Sequence, residues 1–287
     1  PLYEQNLNGG ISVIDFEKSK DYLICVDSDG SVFDTQEEKH RNCFAPRWIE
    51  VFDLNEHYQE AMMIWLKTNL YSKARGINRF IALEKCLKQI EEIGVEVKGL
   101  IGYENWILLS NELSDKALME QIRKVENECL EKALIWSLRA NRSFNMLVDE
   151  VKIFDNVKKA LRFADKIADV VCVSEANMDT LEKEWGDNDI RKYVKAIYGQ
   201  EAGIPDNTIE KLIAKGYDKD KVIMIGDSPN DLEAAKANGI SFFPIVVGQE
   251  AESWAQYIYE ASTKFLEGEY KGEYENNLID IFEKVLE

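Results

Sequence analysis

The sequence contains no apolar run approaching the roughly 20 residues of a membrane-spanning helix, which argues against a transmembrane protein. Its N-terminal stretch PLYEQNLNGG has neither the basic nor the apolar region of a secretory signal, so none is expected. Basic residues are also in short supply. Against 53 Asp and Glu stand 35 Lys and Arg, a formal net charge of −18. Nucleic acid and anionic membrane surfaces need the opposite balance, so neither is expected as a partner. The five cysteines, Cys25, Cys43, Cys86, Cys129 and Cys172, sit singly, with no C-x-x-C pair among them. Two of them lie inside apolar runs. A reduced, mostly buried set in a cytoplasmic protein is the expectation. Repeats and low-complexity segments are absent as well.

What remains is ordinary for a globular chain of one or two domains: 287 residues, 45% of them hydrophobic. Four short runs, at 22–26, 170–173, 222–225 and 242–247, are rich in Val and Ile without polar alternation. That pattern predicts parallel strands covered on both faces. Helical patterns follow at 156–168 and at 229–238, the latter with Pro229 in its first turn and Gly239 behind its end. Strand alternating with helix predicts an α/β fold, a Rossmann-like doubly wound parallel sheet. The span 36–149 shows only helical periodicity, at 79–93 and at 115–139, and predicts an inserted α-helical domain. The core would then comprise 1–35 and 150–287, with 251–287 as a helical tail. The Trp and Tyr residues of the insertion stand at helical spacing and are expected in its core.

The stretch DYLICVDSDGSVFDT, residues 21–35, ends a buried strand on two carboxylates with a glycine behind them. In a doubly wound sheet the residues past the C-terminal strand ends share one crevice. Those residues are Asp27 and Asp29, then Ser174, then Gly226-Asp227-Ser228-Pro229-Asn230-Asp231. Carboxylates at that density repel one another, and a hard cation such as Mg2+ relieves the repulsion. An Asp there can act as a nucleophile towards phosphorus, while a second Asp two residues on protonates the leaving oxygen and later activates water. Gly30 lets the backbone turn sharply beside a phosphate.

DSDGSVFDT, Ser174 and GDSPND resemble motifs one, two and four of the haloacid dehalogenase-like superfamily, in the right order along the whole core. The resemblance implies Asp27 as nucleophile, Asp29 as general acid/base and Ser174 as a phosphoryl-binding hydroxyl. It also implies Mg2+ held by Asp27, Asp29 (through its main-chain carbonyl) and Asp227, with Asp231 in support. The second Asp is a feature of the phosphatases and phosphomutases of the superfamily. The insertion falls where that superfamily places a helical cap. DTQEEKH (34–40) resembles the hinge of the β-phosphoglucomutase-like branch, and Arg75-Gly76-Ile77-Asn78-Arg79 resembles its substrate-facing cap loop. Gly30, Arg75, Arg79 and Glu175 are accordingly expected to contact substrate, and two arginines suit a second phosphate or a carboxylate.

The sequence departs from that pattern at the third motif. A lysine is expected 20 to 26 residues before Asp227, and the window 201–207 has none, with Pro205 near its place. Lys211 is the nearest candidate, followed by Lys195 and the arginines of the insertion. Three readings stand: a Mg2+-dependent phosphatase of a small phosphorylated metabolite, a phosphomutase, and a binding or regulatory protein that kept the fold and lost the chemistry. Substrate identity and oligomeric state are not encoded in any motif.

Overall fold

The computed structural model describes residues 16–147 and 151–286. They fall into two compact units, 16–35 with 151–285, and 36–147 with 286. The boundary expected near residues 149 and 150 lies outside the described residues. No helix among the described residues is long and apolar enough to cross a membrane.

The chain enters the first unit through strand β1 (Tyr22–Val26), whose last four residues are buried. It leaves after Thr35 for the helical unit. There α1 (Gln36–Lys39) and α2 (Ala45–Val51) precede α3 (Tyr58–Leu70), α4 (Arg79–Glu92), α5 (Leu100–Leu109), α6 (Asp115–Ile122) and α7 (Glu128–Leu147). Their shared core is built on indole rings. Trp48 and Trp65 lie 5.1 Å apart, Trp65 and Trp136 5.3 Å, and all three are fully buried. Aromatic pairs at this spacing stabilise by about 0.5–1.5 kcal/mol beyond their buried area. The single helix expected over 115–139 is two helices. They break at 123–127, where Val125, expected on the apolar stripe, is 46% exposed.

The return segment brings α8 (Val157–Ile167), β2 (Ala168–Val173), α9 (Met178–Asp187), β3 (Ala196–Tyr198), α10 (Pro205–Ile213), β4 (Val222–Gly226), α11 (Pro229–Asn238) and β5 (Ser241–Pro244). The tail is α12 (Glu250–Gln256), α13 (Ser262–Glu267) and α14 (Glu273–Val285). All strand pairings are parallel, in the order β3-β2-β1-β4-β5. The sheet is the doubly wound α/β fold predicted from the sequence. It has one strand more than expected: β3 is only three residues long. β2 begins two residues earlier than the sequence suggested, and β5 ends at Pro244 rather than at residue 247. Helices α8 and α12 pack against each other, as do α10 and α11. The chain runs β1, β2, β3 in one direction and then returns to β4 and β5, so strand order reverses beside β1. That reversal opens a crevice at the C-terminal strand ends.

Candidate active site

The loop after β1 is clamped before any ligand is considered. Asp27 N donates to Ile225 O at 2.9 Å, continuing the ladder towards β4. Val32 N and Phe33 N both donate to Ser28 O, and Gly30 at φ 80° supplies the left-handed turn between them. Two buried indoles fix the loop from distant helices. Trp185 Nε1 donates to Ser28 Oγ at 3.0 Å, and Trp254 Nε1 to Ser31 O at 2.8 Å.

That clamp presents carboxylates from two strand ends to one point. Asp27, Asp227 and Asp231 each offer an oxygen within 4.8 Å of the others. Asp231 is held there by a capping box at the start of α11. Its Oδ2 accepts from Ser228 N at 3.0 Å and from Ser228 Oγ at 2.7 Å. The N-cap is therefore Ser228 and not Asp227, which faces the cluster. Gly226 makes room for this arrangement, because a Cβ on it would stand 2.3 Å from Asp231 Oδ2. Asp227 Oδ1 accepts from Ser31 Oγ at 2.6 Å. Asp29 Oδ1 accepts from Thr35 Oγ1 at 2.7 Å. Ser174 is 4% exposed at the end of β2, its N donating to Tyr198 O.

The electrostatics follow from this crowding. Burial, and then the charges of Asp231, Asp227 and Asp29, push the Asp27 carboxyl well above the usual carboxylate range. Burial and Asp227 raise Asp231 to about 7. No cation stands among the groups that act most strongly on Asp27. Three oxygen donors in mutual repulsion are a fit for a hard divalent cation, which would relieve the strain that desolvation and like charge impose. Glu175 keeps part of its side chain in solvent. Burial of the rest raises its carboxyl, and a hydrogen bond with Asn230 opposes the rise.

The lysine candidates do not join this cluster. Lys211 is exposed in the last turn of α10, whose buried face is Pro205, Thr208, Ile209 and Leu212. Lys195 immediately precedes β3, at the opposite end of a parallel sheet from Asp27. The window where the lysine was sought carries Glu201 instead. Its carboxylate accepts from Met178 N at 3.0 Å and from Asn177 Nδ2 at 2.7 Å, tying the loop after β3 to the start of α9. The two arginines of the 75–79 loop are built into the helical unit. Arg79 donates to Ser137 Oγ and Asn141 Oδ1 and lies 5.0 Å over the Phe44 ring. Arg75 is 2% exposed and donates to Leu70 O at 3.1 Å. His40 is packed likewise, its Nδ1 accepting from Trp65 Nε1 at 3.2 Å. Sequence reasoning assigned nothing to Ser31, Thr35 or the two clamping tryptophans. Ser31 and Thr35 stood within the quoted motif, but their partners are set by the folded loop.

A model of the haloacid dehalogenase-like hydrolase family matches residues 23–239. No curated protein matches the sequence significantly. Among solved structures, a provisionally assigned haloacid dehalogenase-like hydrolase from Bacteroides fragilis is similar with a TM-score of 0.50 at 14% identity. The match covers 82% of this chain and 93% of that one. A provisionally assigned phosphoglycolate phosphatase from Lactobacillus delbrueckii subsp. bulgaricus gives 0.49 at 14%, over 78% and 85% of the two chains. A haloacid dehalogenase-like family protein from Streptococcus pneumoniae gives 0.45 at 13%, over 81% and 90%. The first of these likenesses is one of fold alone. The family match spans both halves of the carboxylate cluster, and with it the chain belongs to the haloacid dehalogenase-like hydrolases.

Proposed function

We propose that the protein is a Mg2+-dependent phosphohydrolase that acts on a small phosphorylated metabolite through an aspartyl-phosphate. The observation that carries the reading is the convergence of Asp27, Asp227 and Asp231 within 4.8 Å, at the end of a buried parallel strand. Asp27, the Asp29 main-chain carbonyl and Asp227 would hold Mg2+, with Asp231 in support. The ion would keep Asp27 ionised and offset the charge of the phosphoryl group.

The protein's own groups account for both half-reactions. An Asp27 carboxylate oxygen forms a bond to phosphorus as the ester P–O bond breaks. Asp29, oriented by the Thr35 hydroxyl at 2.7 Å, gives its proton to the departing alkoxide. Asp29 then takes a proton from a water that attacks the same phosphorus. The Asp27 acyl-phosphate bond breaks, inorganic phosphate leaves, and Asp27 is restored. Ser174 binds a phosphoryl oxygen through its hydroxyl. The helical insertion serves as the specificity domain. Five free, buried cysteines suit a reducing compartment, and the reading includes a cytosolic location.

One observation favours a second reading. The third-motif window carries Glu201 and no lysine, and no lysine stands among the described groups that act most strongly on Asp27, which supports a binding protein that has lost turnover. Steady-state phosphate release from aryl and alkyl phosphate esters, with Mg2+ and with EDTA, separates the two. The first reading expects Mg2+-dependent release that disappears in Asp27→Asn. Saturable Mg2+ or phosphate binding without release across the ester panel would establish the second.

A further inference from the structure

The helical unit carries a groove of about 900 Å3 that shares no residue with the carboxylate cluster. Four of its lining residues are lysines, Lys67, Lys73, Lys85 and Lys88, and only Glu92 is acidic. In a chain with 53 acidic and 35 basic residues, that local inversion of sign is unusual. Helix geometry explains how it arises. Lys85, Lys88, Gln89 and Glu92 fall at i, i+3, i+4 and i+7, one face of α4. Lys67 and Thr68 come from the end of α3, which packs on α4. Ser72 and Lys73 come from the loop between the two helices.

Lys88 pairs with Glu84 at 2.7 Å and Glu104 at 2.9 Å. Lys67, Lys73 and Lys85 form no ion pair among the described residues, although they face the same groove. Hydrogen bonds brace part of the walls around them. Gln89 Nε2 donates to Thr68 Oγ1 at 3.0 Å, and Ser72 Oγ to Thr68 O at 2.7 Å. Ala74 and Ile77 supply an apolar strip alongside. The volume is that of a small-molecule site. Three uncompensated ammonium groups spread over two helices and a loop match a ligand whose charge is also spread. A compact monoanion could meet only one of them.

We propose that this groove binds a small polyanion carrying a linear polyphosphate chain, at a site separate from the proposed reaction centre. The test is calorimetric titration of the full protein with inorganic tripolyphosphate, in EDTA and at low salt. The expected result is saturable one-to-one binding, weaker for orthophosphate. It should fall about tenfold or more in Lys67→Glu/Lys85→Glu, because each exposed ion-pair contact contributes up to about fivefold and reversal adds repulsion. It should also weaken as salt rises through the range where the Debye length drops below about 8 Å. Lys67→Gln/Lys85→Gln should show a smaller loss, and circular dichroism should show both variants folded. Asp227→Asn should bind tripolyphosphate as the wild type does. The proposal is overturned if saturable binding is absent, if it survives the double reversal unchanged, or if it is lost in Asp227→Asn instead.

Discussion

Asp27 lies in an environment that disfavours its own charge, since burial and three neighbouring carboxylates all act in the same direction. A group so placed is costly to the fold and useful to chemistry. Asp27→Asn should therefore cut phosphate release by at least about a thousandfold. In metal-free buffer the same change should raise the melting temperature, because a repelled carboxylate has been removed. Thermal melts in EDTA check the second half. Asp169 shows the opposite balance. It is fully buried at the start of β2. Burial alone would raise its carboxyl, but Ser19 N and Oγ, Lys20 N and Tyr217 Oη all donate to it and bring it below its ordinary value. A carboxyl lowered on folding stabilises above its unfolded pKa, and that stability is lost as pH falls through the folded value. Asp169→Asn should thus cost about 2 kcal/mol at pH 7 and progressively less below about pH 4, as urea melts across pH would read. The convergence of Asp27, Asp227 and Asp231 was legible in the sequence because each stands just past a strand end or in the first turn of a helix. Ser31 and Thr35 were not assigned, because what they bond to is decided by a clamped loop and by residues as far as 196 positions away.

At the scale of elements, the turn from β4 into α11 carries the most weight. It ends a buried strand, caps a helix and delivers two carboxylates within six residues. Gly226→Ala would set a methyl group 2.3 Å from Asp231 Oδ2 and force that side chain out of its capping box. A lost cap costs about 1 kcal/mol. The displaced carboxylate should also weaken Mg2+ binding by about tenfold or more, measured by titration of the folded variant. Long buried strands and the helix with Pro at its start and Gly at its end could be read directly, because apolar runs and cap residues are local signals. β3 could not. It is a three-residue edge strand between Lys195 and Gly199, and its pairing with β2 comes from the sheet rather than from its composition. The break between α6 and α7 was hidden for a related reason. The apolar period continues across it through Val125, but that residue is left at the surface.

For the whole molecule, a charge of −18 sets a condition on the proposed chemistry. An anionic substrate approaches an acidic protein whose reaction centre is itself acidic, so a bound cation has to reverse the local sign. Mg2+ should then stabilise the native state as well as support turnover. At about 100 times its dissociation constant it should add about 2.7 kcal/mol. That gain should be visible as a higher melting temperature in the wild type and absent in Asp227→Asn. The division into a sheet unit and an all-helical unit was readable from the change in periodicity after residue 35. The lysine-lined groove was not, because its charges are distributed over two helices and a loop.

The central claim is that Asp27 carries the phosphoryl group. The most direct measurement is rapid acid quench of the enzyme during turnover, followed by peptide mass spectrometry. The account predicts a phosphoryl group on the peptide containing Asp27, formed and lost at rates consistent with phosphate release, and missing in Asp27→Asn. Phosphate release that continues in Asp27→Asn, or that proceeds with no phosphoryl group on that peptide, would contradict it.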